Sequence, residues 1–190
     1  LAALLICALA ALAFVTAAIA AGGNNVVIAN NTADGNVMTR SNVLVSPVGA
    51  PSVTSTNLAL ANAFACTGCR TVAAAIQAVL IYDANDIQPV NLAHAQNSGC
   101  NSCATYAFAA QYVVTTGGPA HLSPDGETQV AALRQEVAND VDSGIPFDLL
   151  TSELDDVYAR LQGIVNNDLV QAGGHPSGTT NMSVDPVGVG

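Results

Sequence analysis

Four cysteines are the residues of this chain whose type and spacing could do chemistry: Cys66-Thr-Gly-Cys69 and Cys100-Asn-Ser-Cys103. Two CxxC pairs admit three chemistries. Oxidised pairs would staple the chain, either within each CxxC or crossed between the two. Four thiolates could hold zinc or an iron–sulfur cluster, but the stretch from Arg70 to Gly99 that separates the pairs is longer than in common zinc ribbons. A CxxC at a helix start could carry a lowered thiol pKa and exchange disulfides, although no βαβ pattern surrounds either motif. Structural disulfides are the expected state of Cys66, Cys69, Cys100 and Cys103, because an exported chain with paired cysteines is their usual setting and an oxidising compartment opposes thiolate ligation. Metal ligation and redox exchange are the alternatives. Beyond these four, no catalytic residue, no metal and no cofactor is expected. The chain has no HExxH, no GxSxG and no glycine-rich phosphate loop. Cys7, in an apolar stretch, is expected to be inert.

The elements that position the cysteines belong to a duplication. Asn57-Leu58-Ala59-Leu60-Ala61 aligns with Asn91-Leu92-Ala93-His94-Ala95. The same offset carries Cys66 onto Cys100 and Cys69 onto Cys103, and Thr71, Ala73, Ala75, Gln77 and Val79 then fall on Thr105, Ala107, Ala109, Gln111 and Val113. Each copy (57–90 and 91–122) reads as a short helix, a CxxC turn and a longer helix of Ala and β-branched residues. Before it, residues 22–56 read as a β-hairpin over Asn25 to Val45, turning at Asp34-Gly35, followed by a linker. After it, residues 123–171 read as a hairpin of two amphipathic helices. Ser123-Pro124-Asp125 supplies a cap and start, and Val130, Leu133, Val137 and Val141, then Leu150, Leu154, Val157, Leu161 and Ile164, form the apolar stripes. The Gly/Pro/Ser/Thr-rich tail, 172–190, is expected to be disordered.

Charge excludes some functions. There are 14 acids against four arginines and no lysine, for a net charge of −10. Such a chain repels phosphate backbones, so nucleic-acid partners are not expected, and anionic lipid heads are disfavoured too. All the acids except Asp34, Asp83, Asp86 and Asp185 lie between Asp125 and Asp168, on the two amphipathic helices, where they read as a solvated face. Residues 1–21 carry no charge and are long enough to span a hydrocarbon core, while Ala18-Ile19-Ala20 also fits a signal-peptidase site. The segment is expected to be a membrane anchor or signal, placing the rest on the extracytoplasmic side of the cell membrane, or secreted if cleaved.

The runs at 24–35, 66–80 and 100–119 resemble an extracytoplasmic domain of bacterial membrane proteins of the peptide zinc metalloprotease type, and similar stand-alone exported proteins. The resemblance covers roughly residues 24–170 and implies location and architecture. It carries over no catalytic residue, because the metalloprotease motif is missing from this chain. The expectation is thus an α+β, mainly α domain: an N-terminal apolar helix, a β-hairpin, a duplicated helix–CxxC–helix unit and a C-terminal helical hairpin. Its expected role is that of a non-enzymatic accessory or interaction domain with a protein partner or a second copy. A thiol–disulfide or metal-binding protein is the alternative.

Overall fold

The computed structural model describes residues 23–171 and 177–187. The chain is mostly sheet, not mainly α. In order come β1 (Asn25–Asn31), β2 (Val37–Gly49), β3 (Ser52–Phe64), β4 (Arg70–Tyr82), β5 (Asp86–Ser98), β6 (Ala104–Thr115), β7 (Ala120–Leu122), α1 (Pro124–Asp142), α2 (Phe147–Asp168), β8 (Leu169–Gln171) and β9 (Ser177–Val187). The expected N-terminal apolar helix lies outside the described residues. Among those described, no helix is long and apolar enough to cross a membrane.

The first six strands wind as three stacked coils of a flat β-solenoid. Each coil puts one strand in sheet A, turns, and puts the next in sheet B. Sheet A has the order β1-β3-β5 and sheet B the order β2-β4-β6-β9. Within the coils every pairing is parallel. The period of the sequence duplication is therefore the length of one coil: Asn57 pairs with Asn91 and Ala73 with Ala107. A parallel neighbour needs a crossover, and here the opposite sheet provides it.

Two expectations are corrected by this winding. Residues 25–45 are not a hairpin, because β1 pairs with β3 and β2 with β4. The duplicated unit is strand–turn–strand, and residues 25–49 form a further coil of the same kind. Asn25 stands opposite Asn57 and Val37 opposite Arg70, offsets slightly shorter than the one relating the two recognised copies. The positions shared between those copies (71, 73, 75, 77 and 79) alternate because they line the inner face of β4. Ala59, Ala61, Ala93 and Ala95 of sheet A meet Ala73, Ala75, Ala107 and Ala109 of sheet B in a core of small side chains.

Polar ladders run through that core. Asn42 donates to Asn25, Asn25 to Asn57 and Asn57 to Asn91, at 2.8, 3.0 and 2.7 Å. Gln111 donates to Gln77 at 3.0 Å and to the Ser55 hydroxyl at 3.1 Å. Identical amides stacked in register satisfy one another, which is why buried Asn and Gln are tolerated there and why register is fixed.

The outer face of sheet B is covered by α1 and α2. Val72, Ala74, Ile76, Ala78 and Leu80 of β4 pack beneath Val130, Leu133, Val137, Leu154, Val157 and Leu161. Buried on both faces, β4 reads as a continuous apolar run. Ser123 caps α1 by accepting from the Gly126 amide at 3.1 Å, and Pro124 opens the helix. Residues 177–187, expected to be disordered, form β9 antiparallel to β6.

Candidate functional site

The sheet A to sheet B turns stack at one corner of the solenoid, and the cysteines sit in them. In the second coil the turn runs from Ala65 to Cys69, with Ala65 and Gly68 at φ 49° and 65°; in the third, Gly99 and Ser102 take the same places at 61° and 55°. Positive φ is natural for glycine, but Ala65 and Ser102 each hold it at a cost of about 1–3 kcal/mol. The ladder continues through the turns: the Gly68 amide donates to Asn101 O at 2.8 Å and the Asn101 amide to Cys66 O at 3.1 Å. The first coil fills the corner without sulfur. Its Asp34 carboxylate accepts from the Thr67 amide at 2.7 Å, and Asn31 donates to Asn36 O and Arg70 O.

This stacking brings all four predicted cysteines together. Cys66 and Cys69 are joined by a disulfide with Sγ atoms 2.00 Å apart, while Cys100 and Cys103 are thiols. Cys66 Sγ lies 3.7 Å from Cys100 Sγ and 3.7 Å from Cys103 Sγ. Cys66, Cys69 and Cys103 are buried with Ala63, and Cys100 is half-buried. The Cys103 thiol donates to Cys66 O at 3.2 Å. Arg70 follows Cys69 but turns to the helix layer, donating to Ile145 O at 2.7 Å and lying 4.3 Å over the Phe147 ring.

Burial pushes both thiols up. At Cys103 burial wins, reinforced by the neighbouring Cys100, and the pKa is raised. At Cys100, the neighbouring Cys103 side chain and the backbone of Cys66 and Ser98 favour the thiolate more than burial opposes it, and the pKa is lowered. The corner thus holds a more accessible, more acidic thiol and a buried, less acidic one. The sulfurs of Cys66, Cys100 and Cys103 all lie within 4.8 Å of one another, a spacing that would suit a thiophilic ion. Cys66, however, is already bonded to Cys69, which leaves two thiolates where structural zinc takes four ligands.

A second candidate is the outer face of sheet A. In register across β1, β3 and β5 it presents the rows Val26–Leu58–Leu92 and Ile28–Leu60–His94, flanked by Asn30–Asn62–Gln96. Val26, Ile28, Val90 and Leu92 are 52, 45, 44 and 48% exposed. Asp86, at one end of β5, is the only acid on the outward-facing positions of these strands. His94, expected on a helix, lies on this face, 3.6 Å from Asp185 of β9. The acidic helices pack on sheet B, at the opposite side of the molecule.

No family model, curated protein or solved structure matches the chain. The sheet A face escaped sequence reasoning, although its signal is present. Asn25 to Asn31 and Asn57 to Phe64 alternate between inward and outward positions, and the outward ones are apolar in the middle of each strand. Alternating apolar residues on both faces mean a strand with two partners, or one with a partner still to come.

Proposed function

We propose that this chain is an exported, non-enzymatic interaction module that pairs with a second copy of itself through the outer face of sheet A. The cysteine corner lies at the turns that join this face to sheet B. The observation that carries the reading is the segregation of surface chemistry: an apolar, nearly charge-free sheet on one side and the acidic helices on the other. Single exposed apolar residues are ordinary on a surface, but a contiguous sheet of them is not. A strongly basic partner would be drawn to the helices rather than to this face. Two copies meeting face to face keep their acids apart, and flat sheets pack well against each other.

The size of the face supports a modest affinity. Two strands about 43 Å long and the shorter β1, about 23 Å, spaced about 4.8 Å apart, present about 500 Å² per copy, or about 1,000 Å² in a pair, the size of a weak, reversible interface. A dimer with a dissociation constant in the micromolar range is expected. The Cys66–Cys69 disulfide supports a site outside the reducing cytoplasm. The link to membrane metalloproteases rests on the resemblance of residues 24–35, 66–80 and 100–119.

Sedimentation equilibrium tests this. The protein is expected to pass from monomer to dimer across the micromolar range. Leu92→Asp, on an exposed position that leaves the core untouched, buries an unpaired carboxylate in the pair at about 3 kcal/mol or more and weakens it at least ~100-fold. A protein that stays monomeric at every concentration, or one whose association ignores Leu92→Asp, overturns the reading.

A further inference from the structure

We infer that the two stacked CxxC turns form one two-electron exchange cell, in which a single disulfide passes between Cys66–Cys69 and Cys100–Cys103. Three observations carry this. The corner holds one disulfide and one dithiol side by side. Cys66 Sγ is in contact with both thiol sulfurs, at 3.7 Å each. The register that stacks the turns is fixed by backbone hydrogen bonds through the corner itself, so the sulfurs have little freedom to separate.

The exchange balances without an external oxidant. The Cys100 thiol gives its proton to solvent, and its thiolate attacks Cys66 Sγ. The Cys66–Cys69 bond breaks, and Cys69 leaves as a thiolate and takes up a proton. The Cys66–Cys100 mixed disulfide is the intermediate. Cys103 then loses its proton and attacks Cys100 Sγ, and Cys66 leaves and is protonated. One disulfide and two thiols stand on each side, and two protons are released and two taken up. The lowered pKa of Cys100 and the raised one of Cys103 fit the order of attack. Cys66, Cys69 and Cys103 are only 1–2% exposed, whereas Cys100 is half-buried. Exchange with an outside thiol or disulfide, a small thiol or a cysteine-bearing peptide, therefore enters at Cys100. A corner used only as a staple has no need of a thiol pair left beside its disulfide.

Trypsin makes the exchange readable, because cleavage after Arg40, Arg70 and Arg134 puts Cys66 and Cys69 in peptide 41–70 and Cys100 and Cys103 in peptide 71–134. The full chain is equilibrated in a glutathione buffer poised to leave one disulfide per molecule, quenched with acid, alkylated and digested without reduction. Wild type is expected to give the disulfide in both peptides, in populations within tenfold of each other. Cys103→Ser is expected to trap the intermediate as a covalent link between 41–70 and 71–134. The double variant Cys69→Ser/Cys103→Ser, which has no competing pair in the corner, should form that link nearly completely. Cys100→Ser should abolish it. Three results would overturn the inference: a disulfide confined to 41–70 with no linked peptides in either trapping variant, two disulfides forming together with no singly oxidised species, or one equivalent of zinc protecting all four cysteines from alkylation.

Discussion

Replacing Asn57 with alanine tests the stacked coils at their centre. The Asn57 amide donates to Asn91 Oδ1 at 2.7 Å and reaches Ala75 O and Ala110 O at 2.9 and 3.1 Å, while its oxygen accepts from Asn25 at 3.0 Å. The two N–H groups serve these three acceptors, so two donated bonds and one accepted bond disappear, at about 1 kcal/mol net each, and buried carbonyls of β4 and β6 lose a donor, which adds about 1 kcal/mol or more. The expected loss is about 4 kcal/mol, or about 8–16 °C in Tm for a domain of this size. The control is Asn62→Ala. Asn62 makes the same kind of ladder bond, to Asn30 at 2.9 Å, but on the exposed face, and should cost less than about 0.5 kcal/mol. Urea unfolding followed by circular dichroism measures both variants. If Asn57→Ala falls within about 1 kcal/mol of Asn62→Ala, which three buried hydrogen bonds forbid, Asn57 is not sandwiched between two sheets and the coil register is wrong.

Two further outcomes follow from the helix layer. Gly126 packs where α1 starts beside the end of α2, and a methyl group there would lie 2.8 Å from Asp168 Cβ and 3.3 Å from Leu122 Cβ. Gly126→Ala should therefore destabilise the fold by about 1–3 kcal/mol despite alanine's better helix propensity, read as a lowered thermal midpoint. Burial raises the Tyr106 phenol to about 12, only partly offset by its hydrogen bond with Thr151. A raised folded-state pKa means that the unfolded chain ionises first, near pH 10, so the Tyr106 contribution is complete below that pH and lost between about 10 and 12. Tyr106→Phe should flatten that part of a stability–pH profile, and an unchanged slope would refute the assignment.

The chain made some of this legible and hid the rest for identifiable reasons. The two C-terminal helices announce themselves: Ser123-Pro124 supplies a cap and start, and the apolar residues at helical spacing are all buried against sheet B or each other. The duplication is also readable, though the helical reading of it does not bring the two CxxC pairs together. What misled was alanine. Arg70 to Tyr82 is rich in Ala and buried on both faces, and a short apolar run of that kind does not distinguish a buried strand from a buried helix. The arbiter was in the repeat itself, since its shared positions 71, 73, 75, 77 and 79 step by two. The first coil stayed hidden because its offsets, Asn25 to Asn57 and Val37 to Arg70, break the period, and Ala33 and Asn36 stand where the later coils have cysteine. Disulfide connectivity was beyond the sequence. It depends on which sulfurs the parallel stack sets side by side, and a helical reading of the repeat contains no such stack.

The most direct measurement for the proposed role is a methyl NMR spectrum of the protein recorded across the micromolar range. Pairing through sheet A predicts concentration-dependent shifts at Val26, Ile28, Val90 and Leu92. The equally exposed Leu149 of α2, 53% accessible, should stay fixed. Shifts at Leu149 with a silent sheet A, or no shifts at all, would contradict it.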